Sequence, residues 1–160
     1  MAQPTQLSPA GLALLKTSEG FRSAVYLDAN GLPTIGYGHK LLHPESFPNG
    51  VDKAQASEIL ELDVAVAAGA VLRLVRVPLT QGQFDALVDF TFNLGAGRLN
   101  GSTLLRNLNT GQYAAAAGQL LRWDHAGSRE LAALTTRRKA EFALWQGTPA
   151  SAVTPVPVKG

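Results

Sequence analysis

The run from Glu19 to His39, E-G-F-R-S-A-V-Y-L-D-A-N-G-L-P-T-I-G-Y-G-H, constrains the fold of this chain more than any other stretch. Upstream, Ser8-Pro9 opens a helix, with the hydroxyl as N-cap and proline in the first turn. Leu12, Leu15 and Glu19 then fall at i, i+3 and i+7, so the glutamate shares a helix face with leucines. Gly20 is the natural stop. Ser23 to Leu27 is short and rich in strand formers, Asn30-Gly31 supplies a positive-φ turn, and Leu32 to Tyr37 returns as the second arm of a hairpin. A two- or three-residue loop puts Asp28 and Thr34 within about one residue of facing each other. Pro33 has no N–H to donate, so that arm reads as an edge or a mouth. Gly36 and Gly38 allow bending or a close backbone approach.

These elements bring together two carboxylates and a hydroxyl. Glu19 sits on an apolar stripe at a helix C-terminus, where the dipole opposes negative charge, and both effects favour its protonated form. The alternative is a glutamate that swings out to solvent at a frayed end. Asp28 at a turn and Thr34 on a strand are ordinary residues taken singly. Together with Glu19 they form the pair of unlike carboxylates that acid-catalysed glycoside cleavage needs, one protonated to donate and one ionised to act on the other face of the sugar.

Composition narrows the alternatives. With 160 residues and 46% hydrophobic content the chain is long enough to bury one core. A charge of +2 and a pI near 9.2 suit an anionic envelope, without the basic stripe of a nucleic-acid binder. No cysteine is present, which excludes disulfides, a thiol nucleophile and thiolate metal sites. His39, His43 and His125 lack ligand spacing, so neither a metal nor another cofactor is expected. The only apolar run near the start, Ala10 to Leu15, is too short for a signal-peptide core or a membrane span.

The remainder reads as helices. One long pattern opens at Val51-Asp52 and continues to Val75, softened at Gly69. Thr80 caps a helix whose stripe is Phe84, Leu87, Val88, Thr91 and Phe92, ended by Gly95. Ser102 or Thr103 caps a short helix to Thr110-Gly111, and Tyr113 to Trp123 forms another. A last helix spans about Ser128 to Trp145, with Leu131, Leu134, Phe142 and Trp145 inward. Helical spacing places both tryptophans, Trp123 and Trp145, in the core and not on a sugar. Residues 148–160, T-P-A-S-A-V-T-P-V-P-V-K-G, lack periodicity and read as an extended or disordered tail. No internal repeat is present.

The spacing Glu-x8-Asp-x5-Thr followed by T-I-G-Y-G-H resembles the phage-type lysozymes, the endolysin family that includes the lysozyme of T-even phages. The resemblance continues in order through F-D-A-L-V-D-F-T-F-N-L-G (Phe84 to Gly95), S-T-L-L-R-N-L-N-T-G (Ser102 to Gly111), L-L-R-W (Leu120 to Trp123) and T-R-R-K-A-E (Thr136 to Glu141). It covers about Leu12 to Gly147. Ala126-Gly127-Ser128 and Ala133-Leu134 depart from the family's A-G-G and G-L, away from the catalytic set.

The resemblance implies an α+β, mainly helical fold. A small hairpin-bearing lobe (about 12–60) and a helical lobe (about 61–147) would be joined by the long helix, with a cleft between them. It implies a muramidase that hydrolyses the β-1,4 bond between N-acetylmuramic acid and N-acetylglucosamine in peptidoglycan, leading to host lysis. Glu19 would be the general acid, and Asp28 with Thr34 would hold water on the far side of the sugar. Asn93 would line the substrate cleft, Arg137 or Arg138 would orient Glu19, and His39 would pair with Asp63 between the lobes. Peptidoglycan glycan strands are the expected partner, with no nucleic acid and no stable membrane insertion, and the protein is expected to be a monomer. It would gather in the host cytoplasm until a holin opens the inner membrane. A lytic transglycosylase and a non-catalytic peptidoglycan binder are the alternatives; Asp28 and Thr34 favour hydrolysis over the first, and the complete triplet argues against the second.

Overall fold

The computed structural model describes residues 3–126 and 129–147. Helix α1 (Pro9–Glu19) begins as its sequence dictates, with the Ser8 hydroxyl accepting from the Gly11 N–H. It ends where Gly20, at φ 70°, returns its N–H to the Lys16 carbonyl. Strands β1 (Arg22–Leu27), β2 (Pro33–Gly36) and β3 (His39–Lys40) make an antiparallel sheet in that order.

The hairpin register differs from the expectation. Tyr26 pairs with Thr34 and Leu27 with Pro33. Asp28 closes the loop instead, its N–H donating to the Leu32 carbonyl and its carbonyl accepting from Gly31. Asp28 therefore lies two residues from the position opposite Thr34. The loop is three residues long, with Gly31 at φ 77° in the left-handed region that an asparagine-glycine turn supplies. Because strand side chains alternate, Asp28 and Thr34 still share a face.

Helix α2 (Lys53–Leu74) starts at a reciprocal cap between Asp52 and Gln55 and passes Gly69 without a break. It packs on β2 at one end and on α3 (Gln81–Leu94) further along. Helix α3 is capped in the same way by Thr80 and Gln83, and every residue from Phe84 to Thr91 is buried. A helix buried on all sides is the centre of the fold. Around it lie α4 (Ala96–Asn100), α5 (Thr103–Asn109), α6 (Tyr113–Leu120) and α7 (Ala132–Trp145), while α1 lies against α3 and α7. The main core joins Val71, Phe84, Leu87, Phe90, Leu104 and Leu120 with their neighbours, and a separate cluster under the sheet holds Ile35, Val51 and Ala56. Trp145 is buried, and Trp123 meets Phe90 edge to face with centroids 5.5 Å apart. Trp145 is thus a core residue, and Trp123, although it lies outside the helix its spacing suggested, packs partly buried against the same core.

Two readings of the C-terminal third are corrected. Trp123 follows α6 instead of ending it, and α7 starts at Ala132 because β4 (His125–Ala126) and β5 (Arg129–Glu130) pair first. The expected helix start at Ser128 and the tail 148–160 lie outside the described residues.

Two glycines test this packing. A Cβ on Gly82 would stand 2.0 Å from the Leu144 carbonyl oxygen, whereas Gly69 faces open space. Gly82→Ala should destabilise by about 2 kcal/mol or more, because α3 and α7 must separate. Gly69→Ala should stabilise by about 1 kcal/mol by removing a mid-helix glycine. Urea unfolding of both variants checks the opposite signs.

Candidate active site

Helix α1 delivers Glu19 as its final residue, and its carboxylate is 17% exposed at the floor of a cleft of about 480 Å³. His39, Lys40, Asp63, Arg73, Phe92 and Asn93 line the same cleft. One Glu19 oxygen receives Arg137 Nη1 at 2.7 Å. Gly38 makes the arrangement possible. It sits at φ 74°, and a Cβ there would come within 2.4 Å of the other Glu19 oxygen.

Arg137 is the arginine at Glu19, and it is 1% exposed. Its Nε and Nη2 also donate to the two oxygens of Asp89, each at 2.9 Å, in a bidentate pair. Burial alone would pull the guanidinium down, but Asp89 and then Glu19 hold it well above its ordinary value. Arg138 faces elsewhere. It lies over the Phe90 ring, donates from Nη2 to Asn93 Oδ1 at 2.7 Å, and has Glu141 beside it. Burial pushes the Glu141 carboxyl well above the usual carboxylate range, with Arg138 opposing.

Asp28 stands outside the cleft lining and is tied to it by Lys40, whose ammonium lies 2.6 Å from Asp28 Oδ2. The Lys40 ammonium and then the Leu32 N–H lower its carboxyl to about 2, with the Asn30 N–H adding to them. The first of these groups, Lys40, is a residue the sequence did not single out. Thr34 is buried and its hydroxyl donates to the Leu32 carbonyl at 2.9 Å, so it too is absent from the cleft wall.

His39 meets Asp63 as expected, Nδ1 to Oδ2 at 2.7 Å, and also meets Glu45 through Nε2 at 2.9 Å. Burial lowers its pKa, but the two carboxylates outweigh burial and the net shift is upward. Glu45 was not anticipated. Neither was Asp89, although its signal was present: Asp85 and Asp89 stand four residues apart in the otherwise apolar run Phe84 to Phe90, and buried aspartates need hydrogen-bonding or cationic partners. Among the described residues no group of three His, Asp or Glu side chains could hold a metal.

Residues 16–141 match the phage lysozyme family. The chain belongs to it. The endolysin of Salmonella phage P22 is 41% identical over 143 residues, which are 88% of this chain and 97% of that protein. The endolysin of Bacillus phage B103 is 38% identical over 143 residues, and there the match spans 53% of the relative's length. Among solved structures, the muramidase domain of SpmX from Asticaccaulis excentricus superposes with a TM-score of 0.81 at 36% identity, covering 89% of this chain and 98% of that one. Membership makes this protein a glycoside hydrolase of the endolysin and muramidase type, with the lysozyme fold.

The His39 pair has a defined pH signature. Its folded pKa is raised, so its stabilisation is complete below the unfolded value of about 6.5 and disappears as pH rises through the folded value. Unfolding free energy should therefore fall from pH 6 towards alkaline pH in the native protein and lose that dependence in His39→Gln. A proton NMR titration placing His39 at or below 6.5 would contradict the pairing.

Proposed function

We propose that this chain hydrolyses the β-1,4 bond between N-acetylmuramic acid and N-acetylglucosamine in peptidoglycan. In this reading Glu19 gives its proton to the leaving oxygen from the cleft floor, and Arg137 fixes the direction in which that carboxyl points. Asp28, held ionised by Lys40, stabilises positive charge on the sugar ring or places the attacking water, with Thr34 bracing the strand beside it. The observation that carries the proposal is the contrast between the two carboxylates. Glu19 lines the cleft against one buried guanidinium, while Asp28 lies outside that lining, where the Lys40 ammonium and the N–H groups of its loop lower its carboxyl to about 2. Two carboxyl groups kept in unlike surroundings divide the acid and charge-stabilising roles between them. The fold would then work as a sheet-bearing lobe (about 12–60) and a helical lobe (about 61–147) closing on a glycan strand along α2.

The same reading makes the protein a lysis enzyme that reaches the wall only after the inner membrane opens. Among the described residues no helix is long and apolar enough to cross a membrane. The relatives named endolysin supply the biological setting, and a phage holin would supply the opening.

Glu19→Gln keeps size and hydrogen bonding but removes the transferable proton, so clearing of permeabilised cells should fall by at least about a hundredfold. Mass spectrometry of fragments from purified peptidoglycan should show reducing N-acetylmuramic acid ends. Anhydro ends would replace hydrolysis by transglycosylation, and uncut strands would reduce the chain to a binder.

Expression in a bacterial cytoplasm should leave the culture intact until chloroform or a co-expressed holin is supplied. Lysis without either would remove the requirement for outside help.

A further inference from the structure

Asn93 and Arg138 meet at the cleft wall in a way that the catalytic reading leaves unused. Arg138 is fully buried, and its guanidinium carries only donors. Its Nη2 lies 2.7 Å from the Asn93 side-chain oxygen. A donor-only partner leaves the amide one orientation, with the oxygen turned inward to the arginine. The Asn93 NH2 group then has no partner among the described residues, and Asn93 lines the cleft that holds Glu19. Arg138 itself cannot drift, because it lies over the Phe90 ring and its Nε is 2.8 Å from Glu141 Oε1, off the hydrogen-bonding line.

We infer that Arg138 is a positioning residue that fixes Asn93 as a hydrogen-bond donor to an amide carbonyl oxygen of the bound strand. The inference rests on the muramidase reading and adds the polarity of one contact. An asparagine free to flip would accept from an N–H as readily as it donates to a carbonyl. Locked by Arg138, it discriminates between the two, and a site built around a fixed donor rejects a group that cannot accept. Peptidoglycan offers amide carbonyls from two sources, the N-acetyl group of the sugar and the stem peptide.

Asn93→Asp tests this directly. The aspartate keeps an oxygen towards Arg138 and replaces the NH2 group with a second oxygen. On intact peptidoglycan KM should rise about five- to tenfold, by more than kcat falls, as expected for one lost hydrogen bond and a repelled acceptor. The penalty should collapse on whichever substrate lacks the carbonyl: chemically de-N-acetylated peptidoglycan if the sugar supplies it, amidase-stripped glycan if the stem does.

Arg138→Lys should raise KM less, and combining it with Asn93→Asp should add little, since the second change removes what the first disorders. If the lysine variant does not fold, the substrate comparison decides alone. An unchanged KM for Asn93→Asp, an equal penalty on all three substrates, or fully additive changes would overturn the inference while native activity stands. A native protein inert on intact peptidoglycan would instead bring down the muramidase reading.

Discussion

A single buried cation holds the functional end of this molecule together. Arg137 comes from α7, is almost completely excluded from water, and distributes its donors between Asp89 of α3 and Glu19 of α1. A guanidinium so placed is tolerable only with anions in good geometry, and loss of one partner from a buried pair costs about 3–5 kcal/mol. The two anions are not equivalent. Asp89 is fully buried and receives two parallel hydrogen bonds, so it serves as the anchor. Glu19 takes one bond and keeps an edge towards the cleft. The same interaction thus fixes the crossing of three helices and leaves one carboxylate oriented but available.

The sheet-bearing side solves the opposite problem. Asp28 is tied down by an exposed lysine and the N–H groups of its own loop, a set of contacts that favours its charged form while leaving the side chain only partly exposed. His39 fastens β3 to α2 through Asp63 and to the following loop through Glu45, so the strand that carries Lys40 has a defined position above α2. Gly38 lies between these two devices, where any side chain would displace the Glu19 carboxylate.

Much of this was legible in the sequence because it rests on local rules. Ser8 and Thr80 cap the helices they were expected to cap, Asp52 caps the helix that Val51-Asp52 was expected to open, Ser102 is the member of its pair with Thr103 that caps, and Asn30-Gly31 turns the hairpin. The register of that hairpin was less legible, since loop length alone decides whether Asp28 or Tyr26 faces Thr34. The arginine at Glu19 could not be chosen because adjacent helical residues point about 100° apart, so only one of them reaches a given partner. Which one depends on the phase of α7, and Leu131 at its start makes no side-chain cap. Lys40 and Glu45 were invisible for another reason. They act through a two-residue strand and a loop, and neither has a period to read.

The Glu19–Arg137 contact joins residues 118 positions apart, one from the first helix and one from the last described. Every element between them is synthesised while Glu19 still lacks its guanidinium. A chain without α7 has the local signals for the hairpin and α2, yet it lacks the partner that aims the cleft carboxylate. Assembly of the site therefore requires α7 in place on α3, so the packing that completes the core is also the packing that aims the carboxylate. A fragment ending before α7 would carry Glu19, Asp28 and Thr34 and still lack the cation that orients the first of them.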